Sequence, residues 1–342
     1  MKRFSIYVLC LVSVLGTQII SSQIKENSFL SIPAHLKENA NAVVRNDETE
    51  VILNSISRLT VKHRRIVTVL NEDGNSATKY YQHYNNDSKV TAISAIIYDA
   101  FGTKIKKYSK SKFTDVSAVP GGTMYSDARL LYVNHTPTSY PYTVVFESEY
   151  TTSSTGFVNG WFPLSDFLIS VEKSSYKLVN KTTIDVRKNE SNFDGFPIKN
   201  TSTEEILSYA ISNQKAIKYE RAAGGKLSFF PRLQVALNEF TLKGVQGRAS
   251  NWKEFGQWEH DVLLKGRDIL NSATVNEVQN LVKGLNDPIE KAKRVYQYMQ
   301  DKTRYISVQI GIGGWEPIPA NEVDLVGYGD CKGLTNYTKA LM

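Results

Sequence analysis

The sequence is poor in cysteine, in long apolar runs and in unbalanced charge. Only two cysteines, Cys10 and Cys331, occur among its 342 residues. The 41 Lys and Arg residues against 34 Asp and Glu leave a formal net charge of +7, scattered along the chain, so we expect no nucleic-acid partner. Beyond the N-terminal segment no apolar run is long enough to span a bilayer. We therefore expect no integral membrane span after that segment is removed.

The composition predicts a folded protein of about two domains. Hydrophobic residues make up 41% and charged residues 22% of the chain, a balance that can offset the conformational entropy lost on folding. A length of 342 residues allows two cores of ordinary size.

The N-terminus has the order of a secretory signal peptide. Lys2 and Arg3 precede an apolar stretch over 4–16, and small residues lead to Ser22. We predict a signal peptide over residues 1–22 and an exported protein of the periplasm, the cell surface or the extracellular medium. A lipoprotein acylated on Cys10 is the alternative, but the apolar stretch continues past that cysteine.

The next two hundred residues have the pattern of an antiparallel β-sandwich. Runs rich in β-branched and aromatic residues are bounded by clusters of Gly, Pro, Asn or Ser, and these runs are 51–69, 90–98, 104–113, 142–150 and 176–187. We predict a β-sandwich domain over residues 23–245.

The apolar period becomes helical near Ala249. Trp252, Phe255 and Trp258 share one predicted helix face, where core packing explains them better than a ligand. Asp287-Pro288 is typical of a helix start, and this helix is predicted to end near Thr303. The predicted α+β fold thus ends in a second domain, over 246–342, that begins with helices.

Cys331 is the strongest candidate for chemistry. It has no cysteine partner once the signal peptide is removed, and Asp330 is placed to cap a helix that begins at the thiol. Helix-start amides and Lys332 would favour the thiolate and lower the thiol pKa, whereas the charge of Asp330 opposes this. The alternative is that Cys331 is a small apolar residue packed under the helix.

The same region carries a family resemblance. Gly313-Gly314-Trp315, Pro319-Ala320-Asn321-Glu322 and above all Gly329-Asp330-Cys331-Lys332-Gly333 resemble the start of the transglutaminase-like cysteine domain of bacterial exported proteins. The upstream β-rich region is similar to the domain of uncharacterised function that precedes it in those proteins. The resemblance implies a papain-like thiol fold in which Cys331 is the nucleophile and a His and an Asp lie on following strands. Since only eleven residues follow Cys331, we expect the chain to be truncated after the nucleophile motif.

Further site residues are weaker candidates. The backbone N–H of Cys331, with Gln309 or the Trp315 indole, could stabilise an oxyanion, although Trp315 is better explained by packing. All five histidines precede Cys331, whereas the family order places the base after it. Glu316, Glu322 and Asp324 lack the alternate-position spacing of a calcium loop and are expected to be solvated. We expect no metal and no cofactor.

Two functions remain open from the sequence. The first is thiol-dependent acyl transfer or peptide and amide hydrolysis, with a protein or peptide as substrate, in a protein completed by the missing His and Asp. The alternative is a non-catalytic binding or assembly module of the envelope, in which the thiol domain is degenerate or truncated.

Overall fold

The computed structural model describes residues 26–119, 121–222 and 224–342; the predicted signal peptide lies outside them. The fold is mixed α+β. Its strands are β1 (Ala42–Ser55), β2 (Arg58–Val69), β3 (Tyr81–Tyr84), β4 (Ser88–Tyr98), β5 (Lys104–Ser109), β6 (Thr114–Ser117), β7 (Tyr125–Ser126), β8 (Arg129–Tyr132), β9 (Tyr142–Thr152), β10 (Ile169–Asn180), β11 (Val186–Ser191), β12 (Lys199–Asn200), β13 (Ile206–Gln214), β14 (Arg232–Leu237), β15 (Glu239–Leu242), β16 (Val245–Arg248), β17 (Arg304–Tyr305), β18 (Val308–Gln309) and β19 (Tyr328–Gly329). Its α-helices are α1 (Ala34–Lys37), α2 (Lys226–Phe229), α3 (Trp252–Trp258), α4 (Ser272–Leu281), α5 (Pro288–Lys302), α6 (Ala320–Val326) and α7 (Cys331–Leu341).

One large mixed sheet dominates the β-rich region. Its eight strands lie in the order β12-β13-β10-β1-β2-β9-β4-β5. Most neighbours are antiparallel, as predicted, and the 51–69 run is part of the β1–β2 hairpin. The pair β1 and β10 is parallel, with Ala42 opposite Ile169. The fold therefore differs from the expected antiparallel sandwich, because alternation of apolar residues marks a strand without specifying the direction of its neighbour.

The main core lies on one face of this sheet. Side chains alternate along each strand, so that Val51, Val61 and Tyr176 are buried on the same face. Smaller sheets cover that face: β14 and β15 contribute to the main core, and β6 and β8 border a second apolar cluster around Phe146. The described strands thus form one dominant sheet with small accessory sheets.

The opposite face of the sheet carries cross-strand ion pairs. Arg64 Nε lies 3.1 Å from a carboxylate oxygen of Glu147, and Lys62 lies 3.6 Å from Glu50. Pairs of this kind suit a strand face that is exposed to water, where each contributes little to stability.

The helical region begins as the sequence predicts. Asn251 caps α3, and the Asp287 side chain accepts a hydrogen bond from Ile289 N at the start of α5. The expected core face of α3 is only partly buried: Trp258 packs into the main core, whereas Trp252 is 87% exposed. Among the described residues no helix is long and apolar enough to cross a membrane. The division into domains at residue 245 remains a prediction.

Candidate functional site

Cys331 is the first residue of α7 and is exposed. The short strand β19 ends just before it and fixes its position. This strand pairs in parallel with β17, and Ile306 N donates to the Gly329 carbonyl oxygen at 3.0 Å. A Cβ on Gly329 would lie 3.3 Å from Leu334, so this close approach of strand and helix favours glycine. The structure therefore presents the thiol at a helix start instead of burying it as a small apolar residue.

The carboxylate before the thiol is the centre of the local electrostatics. Asp330 is only 3% exposed. Its Oδ1 accepts the Gly333 N–H at 2.9 Å, which is the predicted helix cap, and its Oδ2 pairs with the Lys332 ammonium. The Lys332 ammonium, which the sequence suggested would stabilise the thiolate, is therefore paired with Asp330.

Gln309 reaches the same carboxylate from a separate strand. Its Nε2 lies 3.3 Å from Asp330 Oδ2 and 3.2 Å from Ser307 Oγ. The structure thus brings this predicted site residue next to the residue that precedes Cys331. Its role as an oxyanion donor remains a prediction.

Trp315 is placed by packing. Its ring stacks on Phe157 with centroids 5.2 Å apart, and it packs against the main core. Both contacts fit the packing alternative, and a role for the indole in stabilising an oxyanion stays a prediction.

A network of polar side chains around Asp324 links α7 to the neighbouring helices. Asp324 accepts hydrogen bonds from Tyr337 (2.6 Å), Thr274 (2.7 Å) and Lys302 (2.5 Å). Burial alone would raise the pKa of Asp324, but these hydrogen bonds outweigh it and hold that pKa below its usual value. Burial and the bond to Asp324 raise the pKa of Tyr337. Asp324 is therefore a structural hub that ties α6 to α5 and α7, contrary to the expectation of a solvated residue.

The other two acidic residues of this region behave differently. Glu316 pairs with Arg267 at 2.7 Å, and Glu322 is exposed. In the part of the chain that the structure describes, no group of three or more His, Cys, Asp or Glu could hold a metal ion.

The histidines of the described ranges make their contacts elsewhere. His63 lies 2.7 Å from Asp47, His135 lies 3.3 Å from the Tyr108 hydroxyl, and His260 lies 2.9 Å from Asp261. Within these ranges no histidine is hydrogen-bonded to Cys331. That none of the five is the base stays a prediction.

One component of the site was not foreseen. An arm of the β-rich region, defined here as residues 121–126, joins the thiol region because β7 pairs in parallel with β18. Met124 N donates to the Ser307 carbonyl oxygen at 2.8 Å, and the Thr123 and Ser307 hydroxyls lie 3.3 Å apart. The sequence signalled only a break at Gly121-Gly122, since a two-residue strand has too few residues to show a period.

The β-rich region matches a known family. Residues 57–218 match the model of DUF3857, a domain of unknown function for which a structure has been solved. The match runs from β2 to just beyond β13 and so covers most of the large sheet. No curated protein matches the chain.

Among solved structures, the fold is similar to a crystal structure described as a "putative protease" from Parabacteroides distasonis ATCC 8503. The two share 12% sequence identity with a TM-score of 0.60 over 88% of this chain. This chain spans 58% of that protein's length. At this identity the likeness shows a shared fold, which extends beyond the DUF3857 region into the helical region.

Two further structures match with low scores. They are Legionella pneumophila aminopeptidase A in complex with aspartic acid (11% identity, 62% of this chain and 22% of that chain, TM-score 0.23) and an M1 zinc metallopeptidase from Deinococcus radiodurans (8% identity, 71% and 53%, TM-score 0.25). Scores this low carry no argument about this chain.

Proposed function

We propose that this chain carries the nucleophile of an exported cysteine enzyme that transfers or hydrolyses acyl groups of proteins or peptides. The observation that carries the proposal is the exposed Cys331 thiol at the first position of α7, beside the buried cap Asp330. A helix start supplies unpaired N–H groups that favour a thiolate and a developing oxyanion.

The chemistry is that of a thioester intermediate. The Cys331 sulfur attacks the carbonyl carbon of an amide, a C–S bond forms, the C–N bond breaks, and the amine leaves with a proton. Water then cleaves the thioester in hydrolysis, or an acceptor amine cleaves it in transfer, and the thiol is regenerated. The Cys331 backbone N–H is the main proposed oxyanion donor. The Gln309 amide can join it by giving up one of its hydrogen bonds to Ser307 and Asp330.

Proton transfer is assigned to groups outside the described residues. The resemblance to transglutaminase-like domains implies that a His and an Asp on strands following the nucleophile would carry out this step. The name of the Parabacteroides distasonis protein, whose fold this chain shares, favours hydrolysis of peptides as the reaction. The proposed organisation remains a signal peptide over 1–22, a β-rich domain over 23–245 and a thiol domain that begins at 246.

An activated ester tests the nucleophile without needing the base. A p-nitrophenyl ester of a short peptide has a leaving group that departs without protonation, so the 342-residue chain should form the thioester by itself. Intact mass and peptide mapping should show one acyl group on Cys331, released by hydroxylamine.

The matched variants are Cys331→Ala and Cys331→Ser. Neither variant should take up an acyl group at position 331, because a serine hydroxyl, unlike a thiol, is not ionised without a general base. Acylation of lysines alone, equal in the chain and in Cys331→Ala, would overturn the nucleophile assignment and favour the binding module.

A further inference from the structure

The arm at 121–126 exposes large apolar side chains next to the thiol site. Met124 is 58% and Tyr125 is 60% exposed. Tyr305 and Ile310, on either side of Ser307 to Gln309, are exposed as well. Neighbouring exposed apolar side chains of this kind are typical of a binding surface.

A continuous set of hydrogen bonds connects the arm to Asp330, the residue before Cys331. The Thr123 hydroxyl contacts Ser307 Oγ, Ser307 Oγ accepts from Gln309 Nε2, and the same Nε2 contacts Asp330 Oδ2. Asp330 directly precedes the thiol. Along this path only the side chains of Ser307 and Gln309 and the cap Asp330 thus lie between the arm and the cysteine.

The arm also offers main-chain pairing. In the described residues β7 and β18 form a sheet of two strands. A strand edge next to a nucleophile can hold an extended peptide by main-chain hydrogen bonds, with neighbouring side chains selecting the residues of that peptide.

We propose that the arm is the substrate-recognition element of the Cys331 site, and that Met124 and Tyr125 contact a large apolar side chain of the peptide. This inference rests on the proposed function, because it takes Cys331 as the reacting group. It gives the β-rich region a role in the reaction: it supplies a wall of the site and sets specificity. The apolar character of the exposed side chains selects an apolar residue over a charged one.

The test uses two alkylating peptides that need no turnover. Acetyl-Ala-Phe and acetyl-Ala-Asp chloromethyl ketones both alkylate thiols, and their rates at Cys331 are divided by their rates with free cysteine. The Phe probe should be preferred at least about tenfold, the range that an apolar side-chain contact gives in discrimination. Met124→Ala combined with Tyr125→Ala should lower this preference to near one.

Two controls separate recognition from general damage. Phe101→Ala removes an aromatic side chain that is 69% exposed in the turn between β4 and β5, and it should keep the preference. Met124→Leu should keep it too. Iodoacetamide labelling of Cys331 should be the same in all variants, which shows that the thiol and its helix are intact.

The outcomes distinguish this inference from the proposed function. Equal normalised rates for the two probes, or a preference that survives loss of both arm side chains, would overturn the recognition role. The ester experiment decides the nucleophile separately. The unsubstituted chain could prefer the Phe probe, lose that preference in the double variant, and still show no acylation of Cys331 by the ester. That combination would reject the enzyme and keep a peptide-binding surface.

Discussion

At the scale of single residues, Asp330 combines two opposing effects on the neighbouring thiol. Its carboxylate caps α7 and so orients the helix-start amides that favour a thiolate. The same carboxylate carries negative charge and pairs with Lys332. Substitutions that keep the cap but remove the charge can separate these effects.

We predict that Asp330→Asn and Asp330→Ala differ. Asparagine also caps helices, so Asp330→Asn should unfold at nearly the denaturant concentration of the unsubstituted chain, whereas Asp330→Ala should lose about 1 kcal/mol of stability. Removing the carboxylate leaves the Lys332 ammonium unpaired near the thiol. In Asp330→Asn, iodoacetamide should therefore alkylate Cys331 faster at pH 7, by roughly the fivefold that about 1 kcal/mol of Coulomb energy gives.

Lys339→Ala is the matched control. It removes a lysine from the last turn of the same helix, where Lys339 pairs with Asp268 at 2.9 Å, and it should leave the alkylation rate unchanged. An alkylation rate for Asp330→Asn at or below that of the unsubstituted chain would contradict the electrostatic explanation.

At the scale of elements, the turn after β2 is fixed by a close backbone approach. Residues Glu72–Ala77 form a 3-10 turn capped by Asn71, whose Oδ1 accepts the Gly74 N–H at 3.2 Å. Gly74 is buried, and a Cβ there would overlap the Asn41 carbonyl oxygen. That oxygen also accepts the Leu70 N–H at 2.9 Å, so it cannot move away without breaking a hydrogen bond.

We predict that Gly74→Ala destabilises the protein by about 2 kcal/mol or more, because backbone must shift to admit the methyl group. Gly256→Ala is the comparison, since beyond the local backbone of α3 no described atom lies within 4 Å of its Cβ position. There alanine should stabilise the helix by about 0.5–1 kcal/mol. Urea unfolding of both variants measures these changes, and equal effects at the two glycines would refute the close approach at Asn41.

At the scale of the whole molecule, two partly buried carboxylates hold neighbouring elements together. Asp47 of β1 bonds to His63 and Arg65 of β2 on the core face of the sheet. Burial would raise the pKa of Asp47, but the charge of Arg65 and the hydrogen bonds from both partners more than offset it and lower that pKa. Asp324 has a lowered pKa in the helical region for the corresponding reason.

We predict that the protein loses stability in acid below about pH 4, the ordinary pKa of an unfolded Asp. The folded carboxylates have lower pKa values, so the unfolded chain binds more protons in this range and protonation favours unfolding. The stabilisation is present above about pH 4 and is lost as pH falls through the folded-state values. Urea midpoints at pH 6 and pH 3 should differ clearly.

Asp324→Asn should be less stable than the unsubstituted chain at pH 6 and should show a smaller further loss at pH 3. His135 adds a separate loss of stability that begins at a higher pH, near 6.5. Burial, and to a smaller extent the charge of Lys106, lower the pKa of His135 in the folded protein, so the unfolded chain takes up this proton first as pH falls. A flat profile between pH 6 and pH 3 would show that the two carboxylates do not contribute in this way.

Local features of the chain were determined by the sequence alone. The Asp287-Pro288 start of α5 follows from capping and from the fixed proline backbone, and α5 ends at Lys302, next to the predicted Thr303. The Asp330 cap and the start of α7 at Cys331 follow in the same way. These predictions succeed because the interactions involved connect residues only a few positions apart.

Only the tertiary structure decided which distant segments meet. Residues far apart in the chain are joined by the parallel pairing of β1 with β10, by the hydrogen bond from Thr274 to Asp324 and by the contact of the 121–126 arm with Ser307. Alternation and helical period report which face of an element is apolar, but they contain no information on its neighbour. The surroundings of Cys331 therefore depend on long-range packing, whereas its place at a capped helix start was readable from five consecutive residues.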